Sequence, residues 1–222
     1  MKKTIGIICC CVLLSSCDST FIKFSPDYAF DNNVNKYRCA VILPDTIPVD
    51  YTGDVTDEFG KGDKDSLIDT FFRAELIKQL KKRTVFDSVY ITTADSYESE
   101  RLIEDNCTIR VPKAGQKIQC TEGSPDMILI VNDVSIRSDL NVSGSPGGFI
   151  GGTHFGPSFS SQKDLAIRGK FAIWDNVSQK TATYGYIESI DENQFAVSME
   201  DWLSAISGFV TKMIEQTPLM KK

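Results

Sequence analysis

The side chains best suited to chemistry in this chain are seven cysteines and a single histidine. Four of the cysteines, Cys9, Cys10, Cys11 and Cys17, crowd into the first 17 residues. The other three, Cys39, Cys107 and Cys120, lack the paired C-x-x-C spacing of a zinc site, so no metal is expected from them. Cys107 and Cys120 flank TIRVPKAGQKIQ, which reads as two extended stretches joined by a turn over Pro112 to Gly115. In an oxidising compartment their side chains are expected to meet across that hairpin as a disulfide, with two buried free thiols as the alternative. Closing a loop of this size contributes roughly 3 kcal/mol in the chain-entropy account. Cys39, within YRCAVILP, reads as a core thiol.

His154 lies between Thr153 and Phe155 with no Ser or Cys nucleophile motif beside it, and neither G-x-S-x-G nor H-E-x-x-H occurs. Acids cluster at Asp54, Asp57 and Glu58, at Asp63 and Asp65, and at Asp191 and Glu192. Glycoside hydrolysis specifies the separation of two carboxylates in space and not along the chain, so sequence ranks no pair among the 30 acids. The stretch DVTDEFGKGDKD offers oxygen ligands but lacks the Glu that closes a twelve-residue calcium loop, and reads as a hydrated acidic loop. No catalytic residue and no cofactor is assigned, and the expectation is that the protein is not an enzyme.

Six glycines between Gly144 and Gly156 punctuate GSPGGFIGGTHFGPSFSS, where a fixed helix or strand carries a high entropic cost. A long loop is therefore expected over 141–162, carrying Phe149, Ile150, Phe155 and Phe159. Those apolar groups suit a partner, a neighbouring subunit or a membrane surface; the plainer alternative is a loop that folds back onto the sheet. Without a Gly-Lys-Ser/Thr ending the glycines do not make a phosphate-binding loop.

The 222 residues suffice for one domain with a real core. With 41% hydrophobic and 10% aromatic residues the chain is not disordered, and a net charge of -6 argues against a nucleic-acid footprint.

The amino terminus MKKTIGIICCCVLLSSC has two lysines, an apolar run from Ile5 to Leu14, then Ser15 and Ser16 before Cys17. That layout is a secretory signal, too short to cross a bilayer as a helix of roughly 20 residues. Leu14-Ser15-Ser16-Cys17 resembles the bacterial lipobox, which implies cleavage after residue 16 and lipidation of Cys17. Several acyl chains at one terminus suffice for stable anchoring. Losing Lys2 and Lys3 takes the net charge from -6 to -8. The resemblance places the domain in the cell envelope, held by lipid and facing the periplasm. Asp18 resembles an inner-membrane retention signal of some enteric bacteria, a rule that varies between lineages, so inner and outer membrane both stay open. The expected organisation is a signal over 1–16, a lipidated tether over 17–36 whose aromatic stretch from Phe21 to Phe30 suits packing on the domain, one domain over 37–217 and a tail over 218–222.

Arg38 to Leu43 is aliphatic and ends at Pro44, as a buried strand does. Ser66 with Asp69 suggests a capping pair for a helix whose Leu67, Ile68, Phe71, Phe72, Leu76 and Leu80 recur at three- and four-residue spacing. Val85 to Thr93 then reads as a strand, completing a β-α-β unit, and Ser96 to Asp105 as a short surface helix. DMILIVNDVSIRSDL places Ile128, Ile130, Val134 and Ile136 on one face, with Asn132 as the exception. DLAIRGKFAIWD alternates Leu165, Ile167, Phe171 and Ile173 against Arg168, Lys170 and Trp174; a turn over Asn176 to Gln179 leads into an antiparallel return strand. Trp202, Ile206, Phe209 and Met213 mark a terminal helix capped by Ser198 and Asp201. The expected fold is α+β: a mixed or largely antiparallel sheet with two main helices on one face.

AVILPD, the helix ending ELIKQLKKRTVFDSV, PDMILIVNDVSI and GKFAIWDNVSQKTATYGY resemble, over about residues 38 to 216, envelope lipoproteins whose α+β domain is like the amino-terminal domain of TolB. Transport-auxiliary and curli-export-like lipoproteins show similar patterns, including the short F-x-x-V strand, here Phe86 to Val89, and a strand led by Asp126. The chain departs from that pattern at Arg83-Thr84-Val85, where a Gly before Phe is usual, and in the Cys107 to Cys120 segment. The resemblance implies a noncatalytic accessory or assembly role through protein contacts, with an envelope protein or a second copy as partner. A periplasmic module that binds lipid or glycan is the alternative, and a hydrolase comes third.

Overall fold

The computed structural model describes residues 20–29, 37–50, 62–145, 149–150, 153–154, 158–193 and 198–221. The chain runs through β1 (Phe21–Phe24), β2 (Arg38–Ile42), β3 (Val49–Asp50), α1 (Lys64–Arg83), β4 (Ser88–Ile91), β5 (Ser99–Glu104) and β6 (Cys107–Pro112). It continues through β7 (Met127–Ser145), β8 (Phe149–Ile150), β9 (Thr153–His154), β10 (Ser158–Asp175), β11 (Lys180–Asn193) and α2 (Met199–Ile214).

Seven strands form one sheet in the order β1-β11-β10-β7-β2-β4, with β3 pairing to β7. The β1, β11, β10 and β7 pairings are antiparallel, whereas β2 lies parallel to both β4 and β7. The sheet is thus mixed and mostly antiparallel, and β2, α1 and β4 form the expected parallel crossover. Both helices pack on one face, where Phe72 of α1 and Phe209 of α2 meet edge to face at 6.3 Å between centroids.

The helices form where the apolar stripes predict, but the cap of α1 differs. Asp63 is its N-cap and accepts from the Ser66 amide at 3.0 Å, because Asp63 is the residue in extended backbone (ψ 120°). Ser198 and Asp201 form a reciprocal capping box on α2. Glu75 and Gln79, buried on the inner stripe of α1, bond to each other at 2.6 Å; Gln79 also accepts from Arg83, whose guanidinium donates to Ser207 on α2. A polar rail therefore joins the two helices beside their apolar contact.

Four expectations change. Ser99 to Glu104 is a strand paired with β6 and not a surface helix, since Leu102 can then face inward with Ile109. From Phe21 the expected tether is the edge strand of the sheet, in register with Tyr186 to Thr183 of β11. The expected tail is docked: Leu219 is buried, Met220 bridges Thr84, and the Lys221 amide donates to Arg83 O. The expected 141–162 loop is largely strand, because β7 and β10 stay paired out to Ser145 opposite Ser158.

A bulge resets β7. Asn132 pairs with Lys170 and Ser135 with Arg168, leaving Asp133 and Val134 to span one step, with Asp133 at φ 48°. Met127, Leu129, Val131, Val134 and Ile136 consequently all belong to the helix-side core, while Ile128 and Ile130 belong to the opposite face. The single apolar face expected for Ile128, Ile130, Val134 and Ile136 is split in two, and Asn132 is in place on the polar side.

Candidate ligand groove and extended ribbon

Among the described residues, the sheet face away from the helices is covered at one end. The β5-β6 hairpin lays Cys107, Ile109 and Val111 over Ala172, Tyr184 and Tyr186, and the segment after it sets Ile118 and Cys120 against Ala40, Ile128, Ile130 and Trp174. Asn176 pins that segment: it accepts from the Ile118 amide at 2.8 Å and donates to Ile118 O at 2.9 Å and Pro125 O at 3.0 Å.

Cys107 and Cys120 therefore lie in separate apolar clusters, and the expected disulfide between them is not formed. Cys120 is a buried free thiol, and its backbone forms isolated β-bridges with Ala94 and Gly123. The physical reason is pairing. β6 takes its partner from the preceding strand β5, so the chain beyond Gly115 does not return along β6. Burial pushes the Cys120 thiol up, helped by Glu122 and Asp95, and burial takes Cys39 up to about 12 despite a backbone hydrogen bond from Leu129. Both thiols are poor nucleophiles at neutral pH.

Where the hairpin cover ends, a groove of about 550 Å³ opens, lined by Ile42, Leu43 and Pro44, by Arg101, Thr108 and Arg110 of the hairpin, and by Val131, Asn132, Asp133 and Lys170 of the sheet. The β7 bulge turns Asn132 and Asp133 to this wall. Asn132 Nδ2 donates to Arg110 O at 3.3 Å, tying sheet to hairpin, and Lys170 Nζ reaches Asp133 Oδ2 at 3.0 Å. Arg168 pairs with Glu188 one row further on. Burial raises the Tyr186 phenol, as does Glu188, while Arg168 and Arg137 act the other way. The groove's donors outnumber its acids, which suits holding an anion.

The second feature is a ribbon. Asn141 to Ser145 pair with Ser158 to Gln162, beyond the point where β11 ends at Asn193 opposite Lys163. Of the apolar residues expected to make an interaction loop, Phe149 and Ile150 form β8, opposite His154 and Thr153, and Phe159 sits in β10 opposite Gly144. Phe155 lies outside the described residues, as do Cys17 and the acids at 54, 57 and 58. The other acids are dispersed: Asp63 caps α1, Asp65 is in its first turn, and Asp191 and Glu192 pair with Leu165 and Asp164.

No protein-family model matches the chain, and neither does any curated protein. Among solved structures it is similar to a PelC dodecamer, a point variant of the protein from Paraburkholderia phytofirmans, at 9% identity and a TM-score of 0.35, covering 92% of this chain and 99% of that one. That superposition is loose. Among the described residues no group of His, Cys, Asp and Glu could hold a metal, and no helix is long and apolar enough to cross a membrane.

Nothing in the local sequence links Arg101, between Glu100 and Leu102, to Arg110, between Ile109 and Val111; only the pairing of β5 with β6 brings them together. The one available signal was Asn132 interrupting an apolar alternation, which marks the bulge that builds the groove wall.

Proposed function

We propose that this protein is a lipid-anchored accessory factor of the bacterial cell envelope that works by protein contact and not by catalysis, with the ribbon of β7 and β10 as its contact element. The observation that carries this reading is the pairing of Asn141–Ser145 with Ser158–Gln162, whose outer edges have no strand partner among the described residues. A two-stranded ribbon is marginal alone in water, and unpaired edges are templates for a further strand from another chain. A partner strand, from an envelope protein or from a second copy, would satisfy those backbone groups.

The anchor fits the same picture. Phe21 enters the sheet four residues after Cys17, and Thr20 Oγ1 accepts from the Glu188 amide at 3.0 Å. Four extended residues span about 13 Å, so a lipidated Cys17 would hold the domain directly against the membrane. Loss of acyl label on Cys17→Ser tests that part separately.

The contact reading is tested by photo-crosslinking in cells from positions 143 and 160, with position 177 in the far turn as control. Capture of one discrete partner, or of a second copy, from the ribbon positions and its loss in Ser143→Pro support the proposal. Equal capture from the ribbon and from position 177 overturns it.

A further inference from the structure

Arg101 and Arg110 are directly opposite each other in the β5-β6 hairpin. Like charges in that relationship are destabilising, and their Cβ atoms lie within about 5.5 Å. Acids are at hand in the same stretch, yet none neutralises them. Glu98 pairs with Lys113 at 2.6 Å and Glu104 with Lys23 at 3.5 Å, while Glu100 alternates to the other face of the hairpin beside Val111. Among the described residues neither arginine has an ion pair, in a chain whose net charge is -6. Both line the groove, with the Thr108 hydroxyl and the Asn132 amide, and its third cation, Lys170, is already matched by Asp133.

We propose that this groove is a binding site for a phosphate monoester. Two uncompensated guanidiniums call for a ligand of about two negative charges, and a phosphate monoester carries about -1.5 to -2 at pH 7 with three acceptor oxygens. Paired arginine forks bind such oxygens bidentately. A carboxylate, with one charge, leaves one arginine uncompensated. The apolar rim of Ile42, Leu43 and Pro44 covers the ester side of the ligand. The site is separate from the ribbon and stands whether or not the ribbon carries partner contacts.

The phosphate can arrive on a soluble molecule or on a lipid, and the test distinguishes the two. The full chain in nonionic detergent micelles is titrated with glycerol 3-phosphate, and in parallel transferred to micelles doped with phosphatidic acid; glucuronate is the carboxylate comparison. Binding of glycerol 3-phosphate identifies a soluble ligand, and binding to the doped micelles alone identifies a lipid one. In either case Arg101→Gln/Arg110→Gln is expected to weaken binding at least tenfold. Thermal unfolding supplies a second readout: Arg101→Gln relieves the like-charge contact and raises Tm, whereas a residue kept for structure would lower it. Absence of binding in both arms, equal binding by the double variant, glucuronate binding as tight as phosphate, or a lowered Tm for Arg101→Gln each overturns the proposal.

Discussion

Asn176 grips the backbone of Ile118 from both sides, accepting from its amide and donating to its carbonyl across 58 positions of sequence. The same side chain accepts from Trp174 Nε1 at 3.3 Å, so one buried amide holds the segment that roofs Trp174. Asn176→Ala leaves the Ile118 amide and two carbonyls without this partner, at a cost of about 3 kcal/mol in chemical denaturation. Asn176→Asp is the sharper test. Its carboxylate would face two carbonyl oxygens, raising its folded pKa above about 3.9, so the variant recovers stability as pH falls toward 4. Equal destabilisation of Asn176→Asp at pH 4 and pH 7 would contradict this geometry.

The first strand is held at close quarters by Gly185. A Cβ there would collide with Phe21 O, a backbone atom that cannot give way. Gly185→Ala is therefore expected to lift β1 from β11 while leaving the helices and the rest of the sheet folded. Hydrogen exchange checks it: β1 amides that donate to β11 should lose protection, and those of β10 should not.

Cys39 predicts an alkaline slope. Its folded pKa, about 12, lies above the unfolded value near 8.5, so its contribution is fully present below about pH 8.5 and declines as pH rises toward 12. The slope is at most about 1.4 kcal/mol per pH unit. Cys39→Val, of similar volume, should be the less pH-sensitive protein between pH 9 and 11 in urea denaturation, and parallel curves for the two proteins would count against the assignment.

Alkylation checks the thiol arrangement. In unreduced, denatured protein both Cys39 and Cys120 should take up label, whereas in the native state at pH 7 both should be protected by burial. Failure of Cys120 to label before reduction would reinstate a bond at that residue.

The capping box gives a local measure. Ser198→Ala removes the acceptor of the Asp201 amide and is expected to cost about 1 kcal/mol, read as a lower urea midpoint at unchanged slope.

Much of the frame was legible in the sequence because it depends on short-range pattern. The 3.6-residue spacing of Ile68, Phe72, Leu76 and Leu80 and of Trp202, Ile206, Phe209 and Met213 specifies two helices with one apolar stripe each, and both stripes are buried. Alternation along Leu165 to Ile173 assigns the inner face of β10 correctly, and the turn over Asn176 to Gln179 sets its return. The site was less accessible. Period-two alternation cannot register a single extra residue, so the Asp133 bulge hid which side of β7 each isoleucine serves and where Asn132 points.

Composition, charge, the two main helices and the inner face of β10 were determined by the sequence alone, through interactions within a few residues. Only tertiary structure decided that Phe21 closes the sheet edge, that Cys120 packs against Trp174 and not onto Cys107, and that Arg101 confronts Arg110. Each of those depends on strand register, which is set by competition for burial between segments far apart in the chain, and that competition leaves no mark in local spacing.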